Sequence, residues 1–458
     1  VIRTERTNVR TSNERNMTAA DYKNDFRQFE LTAPGNGRLR ETRRAALDRF
    51  ADLDFPTTQD EEWRFTNVAP IARTRFAPAP RSTVALAATD AERLALAEAG
   101  AVNLVFVDGH FSSELSHTGE LPAGVEVESL ASALRAKASG KPAECVDVEN
   151  ELARHAGFDR SAFSAWNTAF LADGACIRIG RGVAFEKPIH ITFVAAGAAQ
   201  PTVNHPRNLI VLQDGAVATV VETYVGSTGH TYLTNAVTEV VLGKDSVLDH
   251  IKVQRESPTA YHVGRMSIRQ AAASTLRTHS IAVGGLLVRN DIETLLAGAR
   301  AEATLNGLAP VGGNRLVDTH TLIDHAAPDC PSHELYKHVL RGRGRAVFNG
   351  KIIVRQIAQK TDAKQTNKTL ILSDEATIDT KPQLEIFADD VKCTHGATVG
   401  RLDENQVFYL RSRGIGEDDA RRILTAAFAD DILQRVRVAS VRDGLQSILF
   451  ADAAREQS

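Results

Sequence analysis

From Cys176 onward the chain alternates. The segments CIRIGRG, HITFV, LIVLQDG, VATVVETYV, AVTEVVLGKDS, VLDHIKVQ and TLRTHSIAV set apolar and polar residues at period two, the pattern of strands with one buried face. Turn signals recur at Asp214-Gly215, Lys244-Asp245, Ala271–Ser274 and Gly298, in steps of about 30, 28 and 26 residues, then at Gly342–Gly344 and Ser373–Glu375. A loose repeat of strand and turn with almost no helix predicts a mainly β architecture, a β-helix or solenoid. A sandwich or barrel is the alternative, but about 230 residues of unbroken strand pattern is long for either. In a coil of this kind each rung buries alternate side chains and bonds to the next rung, which leaves the outward set free to be polar. KTLILSDEATIDTKPQLEI reads as strand, tight turn and strand, with Pro382 ahead of the next strand, where a missing N–H is tolerated.

On either side of this core the period is helical. Between Thr18 and Gly100 the pattern is helical, through Phe26, Phe29, Leu39, Ala45, Leu47 and Phe50, and Ala85 to Ala99 is alanine-rich. FPTTQDEEWRFTNV, Phe55 to Val68, reads as a loop in which Trp63 and Phe65 anchor while Glu61, Glu62 and Arg64 face water. A strand is predicted over Ala101–Val107, and helices over Ser129–Ala138 and Glu151–Ala172. At Gly414 the period changes again. Glu417, Asp418 and Asp419 suit a helix N-terminus, and Ala420, Ile423, Leu424, Ala427 and Phe428 follow at helical spacing. A second helix is predicted from about Val438 to Ala454. The pattern favours this tail as a cap on the coil's end over a groove or ridge for a partner helix. The expected organisation is therefore a leader over 1–16, a helical and mixed region over 17–172, the coil over 173–413 and a helical region over 414–458. The leader carries Arg3, Arg6, Arg10 and Arg15 and is expected to be disordered.

Composition narrows the function classes. A net charge of -3 over 458 residues gives no electrostatic case for nucleic acid or an anionic membrane. No apolar run approaches the roughly 20 residues of a membrane span. The cysteines Cys145, Cys176, Cys330 and Cys393 lie far apart, which speaks against a disulfide framework or a closed cysteine zinc site. A reducing cytoplasm is the expected location. A phosphate-binding G-x-x-x-x-G-K-[ST], a G-x-S-x-G elbow and an H-E-x-x-H pair are all missing from the sequence, so the chain is not expected to hydrolyse ATP or to act as an enzyme. RLVDTHTLIDHAAPDCPSHE, Arg315 to Glu334, gathers His320, His325, His333, Asp318, Asp324 and Cys330, but its spacing fits no standard ligand frame.

DDVKCTHGATVG, Asp389 to Gly400, holds the strongest chemistry. Cys393 and His395 are two apart, so on a strand they share a face with Cα atoms about 7 Å apart. A thiolate and an imidazole at that reach can converge on iron or sulfur. Two ligands do not complete a tetrahedral centre, so any such site needs another chain, sulfide or water. On chemistry alone the leading reading is the bland one, with Cys393 as apolar filler and His395 as a hydrogen-bonded surface residue.

The stretch from Phe348 to Ile415, which includes NGKI and CTHGATVG, resembles the core signature of the SufB/SufD scaffold family of the SUF iron–sulfur cluster assembly system, on its SufD-like side. DEEWRFTNV, Asp60 to Val68, is similar to the family's N-terminal motif, and ARRILTAAFADDIL, Ala420 to Leu433, to its C-terminal helix. The resemblance implies a right-handed parallel β-helix core between helical N- and C-terminal regions. It implies a complex with a SufB-like paralogue, paired through the last rungs of the two coils, and with a SufC-like ATPase. The ATPase would be carried on the C-terminal helix by Arg421, Ile423, Leu424, Ala427 and Phe428. A nascent Fe–S cluster would form between the scaffolds, with His395 as its ligand or proton partner and Cys393 as a nearby thiol. The family is also linked to reduced flavin at the level of the complex, although the sequence shows no flavin motif. A homodimer through the same edge is the arrangement expected of the chain alone. The rival readings are a β-helix enzyme acting on polysaccharide and an inert interaction module.

Overall fold

The computed structural model describes residues 16–35, 37–81, 88–98, 100–138 and 147–455. The expected leader, apart from Asn16, lies outside the described residues, as do Cys145 and the start of the alanine-rich stretch. Within that stretch Ala88–Ala95 forms a helix.

The alternating segments wind into a parallel β-helix whose strands fall by turns into two sheets. One sheet carries Arg207–Leu212, Tyr232–Leu242, Tyr261–Gln270, Leu287–Leu296, Leu316–His325, Arg345–Val354 and Thr377–Ile386. The other carries Val217–Gly226, Val247–Arg255, Thr275–Ala282, Glu302–Val311, Pro331–Leu340, Asp362–Ile371 and Lys392–Gly400. Register is continuous along the coil, so that Leu276, Ala303, Ser332, Ala363 and Cys393 stand in one column.

One corner sets the repeat. Asp245, Ala273, Arg300, Asp329 and Lys360 hold φ between 55° and 63°, one residue per rung. Each N–H bonds to a carbonyl at the next corner: Asp245 to Ala272, Ala273 to Ala299, Arg300 to Pro328, Asp329 to Gln359 and Lys360 to Asp390. Side chains other than glycine seldom adopt this left-handed region. The stacked corner bonds hold it here rung after rung, and the sequence's turn signals at Lys244-Asp245, Ala271–Ser274 and Gly298 mark the same corner.

Inside the coil, apolar rows from both sheets meet. Phe106, Phe193 and Tyr224 stack at 4.9 Å near its start, and Ile323, Tyr336, Phe348, Ile352 and Val354 fill it further on. Outside, ion pairs such as Arg265 with Glu293 at 2.6 Å and Lys351 with Glu385 at 2.7 Å link neighbouring rungs.

The N-terminal region closes the start of the coil. Val102–Val107 adds a parallel strand beside Ile189–Ala195, and Val125–Ser129 pairs antiparallel with Ala175–Ile179. Helices Gly37–Leu53 and Ala162–Ala169 cover the first sheet around the buried Trp166, which stacks on Phe50 at 5.4 Å. The helix expected over Glu151–Ala172 is confined to Ala162–Ala169. Ala153 holds φ of 58°, and the amides of Ala153, Arg154, His155 and Ala156 all turn to donate to the Glu239 carboxylate.

Further expectations are corrected. The C-terminal helices Glu404–Ser412, Glu417–Leu433 and Ala439–Arg455 begin ahead of the Gly414 boundary, and the second and third lie on the flank of the second sheet instead of capping its end. There Ala429, Ile432, Leu433, Val441 and Leu445 bury against Val221, Ile251, Val253, Ile281 and Leu308. Pro382 sits inside the strand Thr377–Ile386, which tolerates it as the last strand of its sheet. Phe65 is 37% exposed and anchors little. The acids beside it face the coil as well as water: Glu61 pairs with Lys381 at 2.9 Å and Glu62 with His320 at 3.2 Å.

Candidate functional site

The closed start and the open end of the coil are unlike. The two last strands, Thr377–Ile386 and Lys392–Gly400, each pair on one side only. A strand without a second neighbour leaves N–H and C=O groups unpaired and offers a template for another chain. Around this edge Phe387 is 62% exposed and Val399 51%, and Ile386 is also exposed. Phe408 and Tyr409 stand out on the helix that follows. Apolar groups gathered on one surface mark a site of interaction.

His395 and Cys393 lie on the terminal strand Lys392–Gly400, on the face that looks into the coil. Cys393 is half-buried against the interior core. Burial pushes its thiol above the usual range and Asp362 adds to the rise, with only the Ala363 N–H pulling it back. In the chain alone this sulfur is a protonated thiol near neutral pH, not the thiolate that binds metal. His395 is exposed.

Beneath His395 runs a polar column that the sequence reasoning did not find. Glu334, Gln365 and His395 occupy the same register position on three successive rungs. Glu334 is buried, and Gln365 Nε2 donates to its Oε2 at 2.7 Å. Burial pushes the Glu334 carboxyl up to about 7, against the pull of Gln365 and Thr321. Among the described residues, Glu334 Oε1 and Gln365 Oε1 are buried without a hydrogen-bond partner. Gly350 makes room for this arrangement, since a Cβ there would stand 2.7 Å from Gln365 Cδ. The available signal was a carboxylate at an inward position of SHELYKHVL, a break in binary pattern.

The His320 group is dispersed. His320 points outward between Glu62 and Asp318, whereas His325 points inward to Ser332 Oγ at 3.0 Å. Among the described residues no three His, Cys, Asp or Glu side chains gather as metal ligands. Among the described residues, too, no helix is long and apolar enough to cross a membrane.

On the C-terminal helix Glu417–Leu433, Ala427 is exposed, Ile423 is 46% exposed, and Leu424 and Phe428 are half-buried. The buried face is instead Ala420, Thr425, Ala429, Ile432 and Leu433. Arg421 bonds Glu404 at 3.1 Å and Glu417 at 3.2 Å, which ties this helix to the preceding one. The Lys337 ammonium lies 4.6 Å from the Phe428 ring centre and pairs with Asp431 at 2.8 Å.

Residues 193–428 match the model of the SufBD core domain of the SUF system for FeS cluster assembly, and residues 18–191 match that of the SufBD protein N-terminal region. The chain is 35% identical over 395 residues to the iron–sulfur cluster assembly protein SufD of Escherichia coli, covering 85% of this chain and 88% of that protein. It is 34% identical over 415 residues to an iron–sulfur cluster assembly SufBD family protein of Synechocystis, covering 88% and 89%. Over 417 residues it is 29% identical to the chloroplastic protein ABCI7 of Arabidopsis thaliana, covering 88% and 84%.

Proposed function

The chain belongs to the SufBD family of SUF-system iron–sulfur cluster assembly proteins and is a homologue of SufD; on that premise we propose that it is a non-enzymatic scaffold whose open end is completed by a SufB-like paralogue. The observation that carries this reading is the uncovered pair of terminal strands with exposed apolar groups around them. A second coil set against this end would continue both sheets and cover Phe387 and Val399. His395 would then lie between the two chains, where an imidazole can serve as ligand or proton partner to a nascent cluster, which is the substrate of the assembly. Cys393 is the supporting thiol, since its proton must leave before it can bind iron. The exposed Ile423 and Ala427, with Arg421, Leu424 and Phe428, are the surface for a SufC-like ATPase, and ATP use by that partner opens the pairing edge. The complex works in the cytoplasm. In the chain alone, the same edge joins two copies.

The test is His395→Ala in cells lacking their own SufD, with cluster maturation as the readout. Maturation is expected to fail, and Cys393→Ala is expected to do less harm. Normal maturation with His395→Ala would refute the site.

A further inference from the structure

Gln365 lies in the rung directly beneath His395, and its amide has two ends with opposite needs. The nitrogen end donates to Glu334 Oε2 at 2.7 Å. The carbonyl oxygen is buried and accepts from no group among the described residues. An ionised carboxylate can only accept, so it holds the amide nitrogen inward and leaves the oxygen to the other side. A buried acceptor without a donor costs about 1–3 kcal/mol. The closest register position above that could supply a donor is His395.

We propose that Glu334 and Gln365 are positioning residues for His395: the Glu334 carboxylate fixes the Gln365 amide, and the Gln365 carbonyl accepts the ring N–H of His395 once a second scaffold covers the open end. The acceptor selects one tautomer of the ring, and the other ring nitrogen then presents its lone pair to the assembling cluster. Histidine ligands are commonly oriented in this way by an acceptor on the second nitrogen. The inference rests on the reading that His395 acts at the covered end. Gly350 belongs to the device, because any side chain there would displace Gln365.

The surroundings fit a carboxylate kept for this purpose. Around Glu334 are Gln365, Thr321 from Leu316–His325 and Leu305 from Glu302–Val311, with Gly350 from Arg345–Val354 set against Gln365. Its titratable neighbour is Tyr336, two positions along its own strand, whose phenol burial and Glu334 both push up. These neighbours carry no positive charge to offset an ionised Glu334, so the carboxylate is held at a cost to stability. A proton on Glu334 would let it donate and free the amide to turn over.

The test uses the chain reconstituted with its paralogous scaffold and ATPase, supplied with ferrous iron and sulfide. Cluster formation is followed across neutral pH in wild type, Gln365→Leu, Glu334→Gln, the exchange Glu334→Gln/Gln365→Glu, and His395→Ala. The same complexes, 15N-labelled in histidine, report the His395 tautomer from its ring nitrogen shifts. We expect Gln365→Leu and Glu334→Gln to slow assembly about 10-fold or more. Wild-type assembly should rise with pH through about 7, and the exchange, which sets a carboxylate acceptor directly beneath His395, should restore fast assembly above that range. Wild type should show a single tautomer and Glu334→Gln a mixture. Wild-type rates in both single variants, with His395→Ala inactive, would overturn this inference and leave the function standing. If His395→Ala assembles normally, the function falls and the tautomer shifts alone decide: a mixture confined to Glu334→Gln supports the positioning, and identical shifts refute it.

Discussion

Arg207 Nη2 donates to Glu239 Oε1 at 2.6 Å where neither side chain touches water. The other Glu239 oxygen takes the amides of Arg154, His155 and Ala156, so one carboxylate fastens the N-terminal region to the coil. Glu239→Ala leaves the buried Arg207 without a counter-charge, its Nη1 held only by Asn167 Oδ1 and Thr168 Oγ1, and leaves a turn of amides without partners. The expected loss is about 3–5 kcal/mol, read as a fall in urea midpoint.

Glu334 makes stability depend on pH in the less usual direction. Burial raises its carboxyl from 4.5 to about 7, so the folded chain binds the extra proton between those values. Its contribution to stability therefore declines as pH rises through that window. The full effect is on the order of 3 kcal/mol. Glu334→Gln should match wild type at about pH 4.5 and exceed it by up to that amount at about pH 8; equal urea midpoints at the higher pH would disprove the buried acid.

Gly350 and Gln365 should be coupled. Gly350→Ala pushes a methyl group into the Gln365 side chain and is expected to cost about 1–3 kcal/mol. In a Gln365→Ala background the same change should cost far less, and a double-mutant cycle measures the difference. Strict additivity would mean that the notch serves something else.

The open edge should be separable from the fold. Ala397→Pro removes an N–H from the terminal strand, and Val399→Lys puts a charge on it, the means by which natural edges block pairing. Both variants should keep the wild-type melting temperature and lose association with a second scaffold in light scattering. A large fall in melting temperature would mean that this strand holds the coil itself.

The exposed helix face makes a parallel case. Ile423 is 46% exposed and lies outside the buried cluster of this helix, so Ile423→Asp should move stability by no more than about 1 kcal/mol. Binding of the ATPase subunit should weaken at least tenfold by calorimetry, with pairing of the scaffolds unchanged.

The coil was legible because its signal is long and repeated. Period two and corner turns agree over rung after rung, and about 230 residues of that pattern is long for a sandwich or a barrel. His395 and Cys393 were legible as same-face neighbours on a strand for the same reason. What alternation does not reveal is which set of alternates lies inside. Phe348 and Glu334 both point inward, and only the register brings Glu334 beneath Gln365. Nor does helical spacing reveal which face meets the chain's own core. Ala420 is on the buried side and Ile423 is not, because the coil offers this helix a flank whose shape depends on residues far away, such as Ile281 and Leu308. The Glu151–Ala172 expectation failed because four amides served one carboxylate more than eighty residues downstream.

The left-handed corner has a consequence for how such a chain can change in length. Arg300 and Asp329 hold the same backbone position on neighbouring rungs, so loss of residues 300–328 would bring Asp329 to the place Arg300 had. The coil would shorten by one layer, about 4.8 Å, and the side chains at its end would be unaltered. The span between the closed start and the open edge is thus a quantised dimension that insertions and deletions can reset in whole layers. His395 keeps its setting through any such change that leaves the rungs of Glu334, Gln365 and His395 as the last three of their sheet.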